Sequence, residues 1–289
     1  TEQIIQTVRN IAPVFGAINL EDISAPRCFE IEERLQDLGI PVFHDDQHGT
    51  AVVALAALIN AAKVLNKNLN DMKVVINGAG SAGLAIAKLL GGFGQKRPKV
   101  HVKNMIVCDR KGAISKHRTD IGNLPYKIEI MKFTNPENKQ GTIHEVLVGA
   151  DVFIGVSESN LLTADHIRTM AKDAVVLAMA NPSPEIMPEE AYKGGAAIVG
   201  TGRSDMPNQV NNVLGFPGIF RGAMDARAPR ITKEMKLAAA FAIAKYLKNP
   251  DRMHIIPPAL DKKVAKIVAK AVYKTAMKQF GPKPTALLL

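Results

Sequence analysis

The run Asp71-Met-Lys-Val-Val-Ile-Asn-Gly-Ala-Gly-Ser-Ala-Gly83-Leu-Ala-Ile-Ala-Lys-Leu-Leu90 decides the fold. Val74 to Ile76 is a short apolar strand, Gly78, Gly80 and Gly83 are spaced G-x-G-x-x-G, and an apolar helix follows at once. The first glycine allows a tight turn, the second lets the backbone approach a pyrophosphate, and the third lets helix and strand pack closely. The pyrophosphate charge would rest on the amides of Ser81, Ala82 and Gly83, which open the helix. Such a pattern alone is weak; a strand before it and a helix after it make it a dinucleotide fingerprint. The next strand, Asn104 to Cys108, ends at Asp109, where an acid that binds ribose hydroxyls is expected. A carboxylate there accepts both hydroxyls and repels a 2′-phosphate, so Asp109 favours NAD. Arg110 and Lys111 follow at once and would attract that phosphate, so NADP stays open.

Downstream, Val152 to Ser157, Ala174 to Met179 and Ala197 to Val199 read as buried strands, with Thr163 to Ala171 helical. Apolar strands alternating with helices predict an α/β fold: a doubly wound, parallel, Rossmann-like sheet. The loops after Val156, Met179 and Val199 lie at carboxyl ends of strands, where the nicotinamide half should sit. Ser157 and Asn181 are the candidate cofactor contacts there. Asn208-Gln-Val-Asn211-Asn212 is either turn chemistry or a set of amides holding a small carboxylate, and Asn181 invites the same two readings.

Upstream lie two acidic pairs. Ala17 to Leu20 ends in Glu21-Asp22, and Ile40 to Phe43 leads to His44-Asp45-Asp46. Taken singly, each pair reads as a solvated strand end. Delivered by adjacent parallel strands, the four carboxylates meet and repel one another unless a cation or protons neutralise them. Oxygen-only donors suit Mg²⁺ or Mn²⁺. Helices are expected over 1–11 and 27–38, and a charge-poor, buried one over 49–65. Two more, about 232–247 and 259–279, end the chain, with an apolar tail past Pro284.

The 289 residues allow one large or two joined domains, and 47% hydrophobic residues supply an ample core. Cys28 and Cys108 form no paired framework, which points to a reducing, cytoplasmic setting. No signal peptide or apolar run of about twenty residues argues for secretion or a membrane. The net charge of +10 gathers towards the carboxyl end, where Lys262, Lys266, Lys270, Lys274 and Lys278 make one helical stripe. With no aromatic interleaving and no groove-reading motif, the stripe reads as solvated surface, and no nucleic-acid partner is expected.

In order, these motifs resemble the malic enzymes. The matches are Leu20-Glu-Asp-Ile23, Phe43-His-Asp-Asp-Gln-His-Gly-Thr50, Gly78-Ala-Gly-Ser-Ala-Gly83, Cys108-Asp-Arg-Lys-Gly112, Ala180-Asn-Pro182 and Asn211-Asn-Val-Leu-Gly-Phe-Pro-Gly218. The resemblance, to the shorter bacterial and archaeal type, implies oxidative decarboxylation of L-malate to pyruvate and CO₂ with reduction of NAD⁺ or NADP⁺. It implies that Glu21, Asp22 and Asp46 ligate Mg²⁺ or Mn²⁺ and that Asp45 belongs to the proton-transfer network. It also implies that Asn181 and Asn212 hold malate and line the nicotinamide pocket, that Thr50 contacts the cofactor, and that the assembly is a homodimer. In the family the general base is a lysine and the general acid a tyrosine, both well upstream of the Glu-Asp pair. Residues 1–20 contain neither, so the chain is expected to bind cofactor and metal yet turn malate over poorly unless those groups come from elsewhere.

Three rivals remain. Another dehydrogenase with a carboxyl-terminal dinucleotide domain would have no use for the acidic pairs. A metallohydrolase on His44, Asp45, Asp46 and His48 would leave the glycine turn idle. A non-catalytic dinucleotide-binding module would account for the missing base and acid. The expected division is a dinucleotide-binding domain over 46–211, with 1–45 and 212–289 forming the remainder of a discontinuous substrate and metal domain. A substrate domain lacking its first part would leave an apolar face and favour association.

Overall fold

The computed structural model describes residues 1–95, 98–122 and 124–282; the tail expected past Pro284 lies outside them. In chain order the elements are α1 (Glu2–Ile11), β1 (Ile18–Leu20), α2 (Arg27–Arg34), β2 (Val42–His44), α3 (Asp45–Val64), β3 (Lys73–Asn77), α4 (Ser81–Leu90), β4 (Asn104–Asp109) and β5 (Gly112–Ala113). They continue with α5 (Pro125–Ile130), α6 (Ile143–Leu147), β6 (Val152–Gly155), α7 (Ala164–Arg168), β7 (Val175–Ala178), α8 (Pro188–Lys193), β8 (Ile198–Thr201), α9 (Phe216–Asp225), α10 (Lys233–Tyr246) and α11 (Lys262–Phe280).

Six strands form one sheet in the order β5-β4-β3-β6-β7-β8, parallel except for the short edge strand β5. Successive strand residues supply opposite faces, as the period of two requires. Val74 and Ile76 join the core under α3, α4 and α9–α11, whereas Val75 joins the core under α6, α7 and α8. Helices cover both faces, and the chain reverses direction across the sheet between β3 and β6. A doubly wound sheet opens its ligand crevice at that switch point. β1 and β2 form a separate parallel pair with α1 and α2, around a small core of Ile5, Leu20, Ile31, Leu35 and Val42.

Two expectations change. The helix expected from Gly49 starts at Asp45, so the acidic turn is its first turn; carboxylates there complement the unpaired amides and the helix dipole. Phe216-Pro-Gly218, in a stretch where no helix was expected, opens α9, because proline near a helix start loses no hydrogen bond. The residues after Asn211 pack α9–α11 into the core of the sheet. Among the described residues no helix is long and apolar enough to cross a membrane.

Candidate active site

β1 and β2 run side by side with Leu20 opposite His44, so Glu21-Asp22 and Asp45-Asp46 emerge from neighbouring strand ends. Asp22 sits at φ +57°, and its amide donates to Asp46 Oδ2 at 2.9 Å. Asn19 Nδ2 donates to Glu21 Oε2 at 3.0 Å. Among the described residues no lysine or arginine pairs with Glu21, Asp22 or Asp46; His44 Nδ1 stands 3.9 Å from Asp46.

Asp45 is the buried member, 1% exposed. Its Oδ2 accepts from Asn212 Nδ2 at 2.6 Å, and its Oδ1 has no partner. Burial, then the charges of Glu21 and Asp46, push this carboxyl up to about 7 against the Asn212 hydrogen bond. A β-carbon on Gly49 would lie 1.8 Å from Asp45 Oδ1, so the carboxylate fills the space a side chain at 49 would take. Gly49 was read only as part of a motif; its role appears when the helix folds Asp45 back over it.

The corner fits a hard divalent cation by donor chemistry: oxygen ligands, uncompensated charge and an orphaned carboxylate oxygen. The side chains are neighbours rather than a closed ligand set, because among the described residues no three His, Cys, Asp or Glu stand ready to hold an ion. His48 turns away from the corner. Its Nε2 meets Glu32 Oε1 at 2.8 Å, and Gln47 Nε2 donates to the same carboxylate at 3.2 Å, so α2 is clamped to α3. Burial pushes the Glu32 carboxyl up, but His48 outweighs it and the group is held at about 2. A hydrolase built on His44 and His48 loses its second histidine.

At the glycine turn, each position behaves differently. Gly78 has φ +119°, and a β-carbon there would meet the Val156 carbonyl oxygen at 2.5 Å. A β-carbon at Gly83 would meet the Gly78 carbonyl oxygen at 1.7 Å, whereas at Gly80 it would meet nothing within 4 Å. Only Gly80 faces open space, at the start of α4 where Ser81, Ala82 and Gly83 present their amides. The turn borders a cleft of about 690 Å³ whose lining includes Gly78, Gly80, Asp109, Arg110, Lys111 and Ser157.

Asp109 does not stand free in that cleft. Its Oδ1 accepts from Arg118 Nη1 at 2.8 Å and from the Lys111 amide at 2.9 Å. Its Oδ2 accepts from Arg118 Nη2 at 3.0 Å and Lys127 Nζ at 2.6 Å. Burial raises this carboxyl, but those donors more than offset it and hold it below the usual range. Arg110 is 89% exposed and pairs with Glu158 at 2.7 Å. Arg118 and Lys127 escaped the sequence reading because nothing periodic ties them to Asp109. Thr50, Asn181 and Asn212 lie outside the cleft lining: Thr50 half-buried on α3, Asn181 exposed beside Gly202, and Asn212 at the acidic corner.

A family model described as the malic enzyme NAD binding domain matches residues 47–277, and one described as the malic enzyme N-terminal domain matches residues 1–36. The chain belongs to the malic enzyme family. A bifunctional malic/malolactic enzyme of Bacillus subtilis (strain 168) is 54% identical over 279 residues, 96% of this chain and 66% of that protein. An NAD-dependent malic enzyme of Geobacillus stearothermophilus is 54% identical over 281 residues, 96% of this chain and 56% of its own length. The chain therefore spans about two thirds or less of these curated relatives. Among solved structures, an NAD-dependent malic enzyme from Thermotoga maritima superposes with a TM-score of 0.88 at 48% identity, over 94% of this chain and 70% of that one.

Proposed function

We propose that the chain carries the metal- and dinucleotide-binding parts of an enzyme that oxidises L-malate to pyruvate and CO₂ while reducing NAD⁺ or NADP⁺. The observation that carries this reading is the corner where β1 and β2 bring Glu21, Asp22, Asp45 and Asp46 together. Glu21, Asp22 and Asp46 would hold Mg²⁺ or Mn²⁺. A divalent cation there supplies Lewis acidity towards a 2-hydroxy acid's hydroxyl and carboxylate oxygens. Asp45, buried beside Asn212 with Oδ1 unpartnered, can hold or release a proton there. Asn212 fixes that carboxyl and, with Asn181, is proposed to take the substrate's carboxylates and line the nicotinamide pocket, with Thr50 on the cofactor side.

For the cofactor, Gly78 to Gly83 would receive the pyrophosphate and Ser157 would border the nicotinamide half. The four acceptor positions of Asp109 are engaged by Arg118, Lys111 and Lys127. A neutralised Asp109 neither binds the ribose hydroxyls strongly nor repels a 2′-phosphate, which supports use of both NAD and NADP. We further propose residues 46–211 as the cofactor part, with residues 1–45 and those after Asn211 framing the substrate, and a cytoplasmic homodimer as the working form. The lysine base and tyrosine acid of the family are proposed to come from outside residues 1–20.

The test measures Mn²⁺-dependent L-malate binding by calorimetry beside reduced-cofactor formation with either dinucleotide. Malate binding that chelator and Asp46→Asn both remove supports the reading. Malate binding indifferent to both, or none at all with Mn²⁺ present, overturns it.

A further inference from the structure

Glu185 is a buried carboxylate at the carboxyl ends of β6 and β7, fully buried, with no cationic partner among the described residues. Its Oε1 accepts from the Ser157 amide at 2.9 Å, just past β6. Its Oε2 accepts from the Ala180 amide at 3.1 Å, just past β7. Gly155, the last residue of β6, leaves it room: a β-carbon there would fall 2.2 Å from the Glu185 carboxyl carbon. The same two loops are stitched again by Leu162 N to Glu185 O at 2.9 Å, Asn160 N to Pro184 O at 3.0 Å and Ser159 Oγ to Ser183 O at 2.7 Å. Burial raises the Glu185 carboxyl, and the two amides pull it back towards the charged form.

A buried, unpaired carboxylate is an expensive way to tie two loops, so its placement needs a reason. Its two amide partners neighbour two of the proposed nicotinamide-side residues: it bonds Ser157 directly, and Ala180 precedes Asn181. The adenosine and pyrophosphate end is bounded instead by Gly78 to Gly80 and by Asp109 to Gly112, neither of which hydrogen-bonds Glu185, although Val156, next to Ser157, abuts Gly78. We propose that Glu185 is a positioning residue that fixes the backbone beneath the nicotinamide half of the cofactor. This inference rests on the dinucleotide reading of the cleft.

The experiment compares NADH with ADP-ribose, which keeps both ribose groups and the pyrophosphate but lacks the nicotinamide. Glu185→Gln keeps the shape yet turns an N–H donor towards one of two amide donors. Gly155→Ala displaces the same carboxylate from the other side without altering its chemistry. Both variants should weaken NADH about tenfold and blunt the emission change of bound NADH, while ADP-ribose affinity stays within about twofold. Equal weakening of both ligands would make Glu185 a general structural tie and overturn the proposal. So would NADH binding that neither variant changes. Failure of the unsubstituted chain to bind ADP-ribose would instead overturn the dinucleotide reading, and this inference with it.

Discussion

Asp45 owes its position to two residues on different elements. Asn212 holds Oδ2, while Gly49, one turn along α3, leaves the volume that Oδ1 occupies. Gly49→Ala would push the carboxylate out of that volume, and we expect it to cost about 1–3 kcal/mol, as overpacking usually does. Once the carboxylate is evicted, its bond to Asn212 is already lost. Adding Asn212→Ala should then cost much less than it does alone. Denaturant unfolding of both single variants and the double one reads this directly, and strictly additive losses would break the link. Lys236 offers a separate check through pH. Burial first, then Lys233 and Lys88, lower it to about 8 despite the charge of Glu32. A base lowered on folding loses its proton first in the native state, so stability rises as pH climbs from about 8 towards the unfolded value near 10.5. At neutral pH the folded state therefore carries a penalty. Lys236→Met should be more stable there by on the order of 1 kcal/mol, discounted for partial exposure, and its advantage should vanish by about pH 10.5. A constant difference across that window would show that Lys236 keeps its ordinary proton affinity.

At the scale of elements, the glycine turn separates folding from binding. Gly83→Ala would force a β-carbon into the Gly78 carbonyl and part α4 from β3, whereas Gly80→Ala has open space. We expect Gly83→Ala to lower the melting temperature by many degrees and Gly80→Ala to leave it within a few. Gly80→Ala should nevertheless weaken ADP-ribose at least tenfold, because its methyl stands where a pyrophosphate would approach the amides. An unchanged affinity would mean that the pyrophosphate lies elsewhere. The same elements mark how far the sequence could be read. β3, α4 and β4 announced themselves by short apolar runs and glycine spacing, and α10 and α11 by their helical period. In α11 Val264, Val268 and Val272, between the lysines of the stripe, are buried, whereas Ile267 is 40% exposed. α9 was hidden because Gly218 and Gly222 look like breakers. Both are contact surfaces: β-carbons there would lie 2.6 Å from Val268 Cβ and 2.4 Å from the Ala269 carbonyl oxygen. Local pattern cannot reveal such a pairing between Gly218 and Val268 or Gly222 and Ala269, so far apart along the chain. The hydrogen bonds from Arg118 and Lys127 to Asp109, and from Ser157 to Glu185, were hidden for the same reason.

The whole molecule joins two units of very different size at the amino end of α3: the small one around β1 and β2, and the sheet with a core on each face. The smaller rests on five buried apolar side chains, Ile5, Leu20, Ile31, Leu35 and Val42. The larger joins the sheet to α3, α4 and α9–α11. Local stability follows buried apolar contact, so the smaller unit should open at a fraction of the global unfolding free energy. The acidic corner straddles the joint: Glu21 and Asp22 belong to the smaller unit, and Asp46 starts the helix that enters the larger. A cation held by all three would tie the units together, and mutual repulsion would ease at the same time. Hydrogen exchange should therefore find the amides of β1 and β2 much faster than those of β3. Mn²⁺ should slow the β1 and β2 amides and leave β3 untouched, while NADH should protect the glycine turn and the end of β4. In Asp46→Asn the Mn²⁺ effect should disappear and the NADH effect persist. Manganese protection that survives this substitution, or that spreads evenly over both units, would mean that the ion is not held at the joint. The acidic corner would then be a repulsive strand end, and the smaller unit would need some other contact to keep it closed.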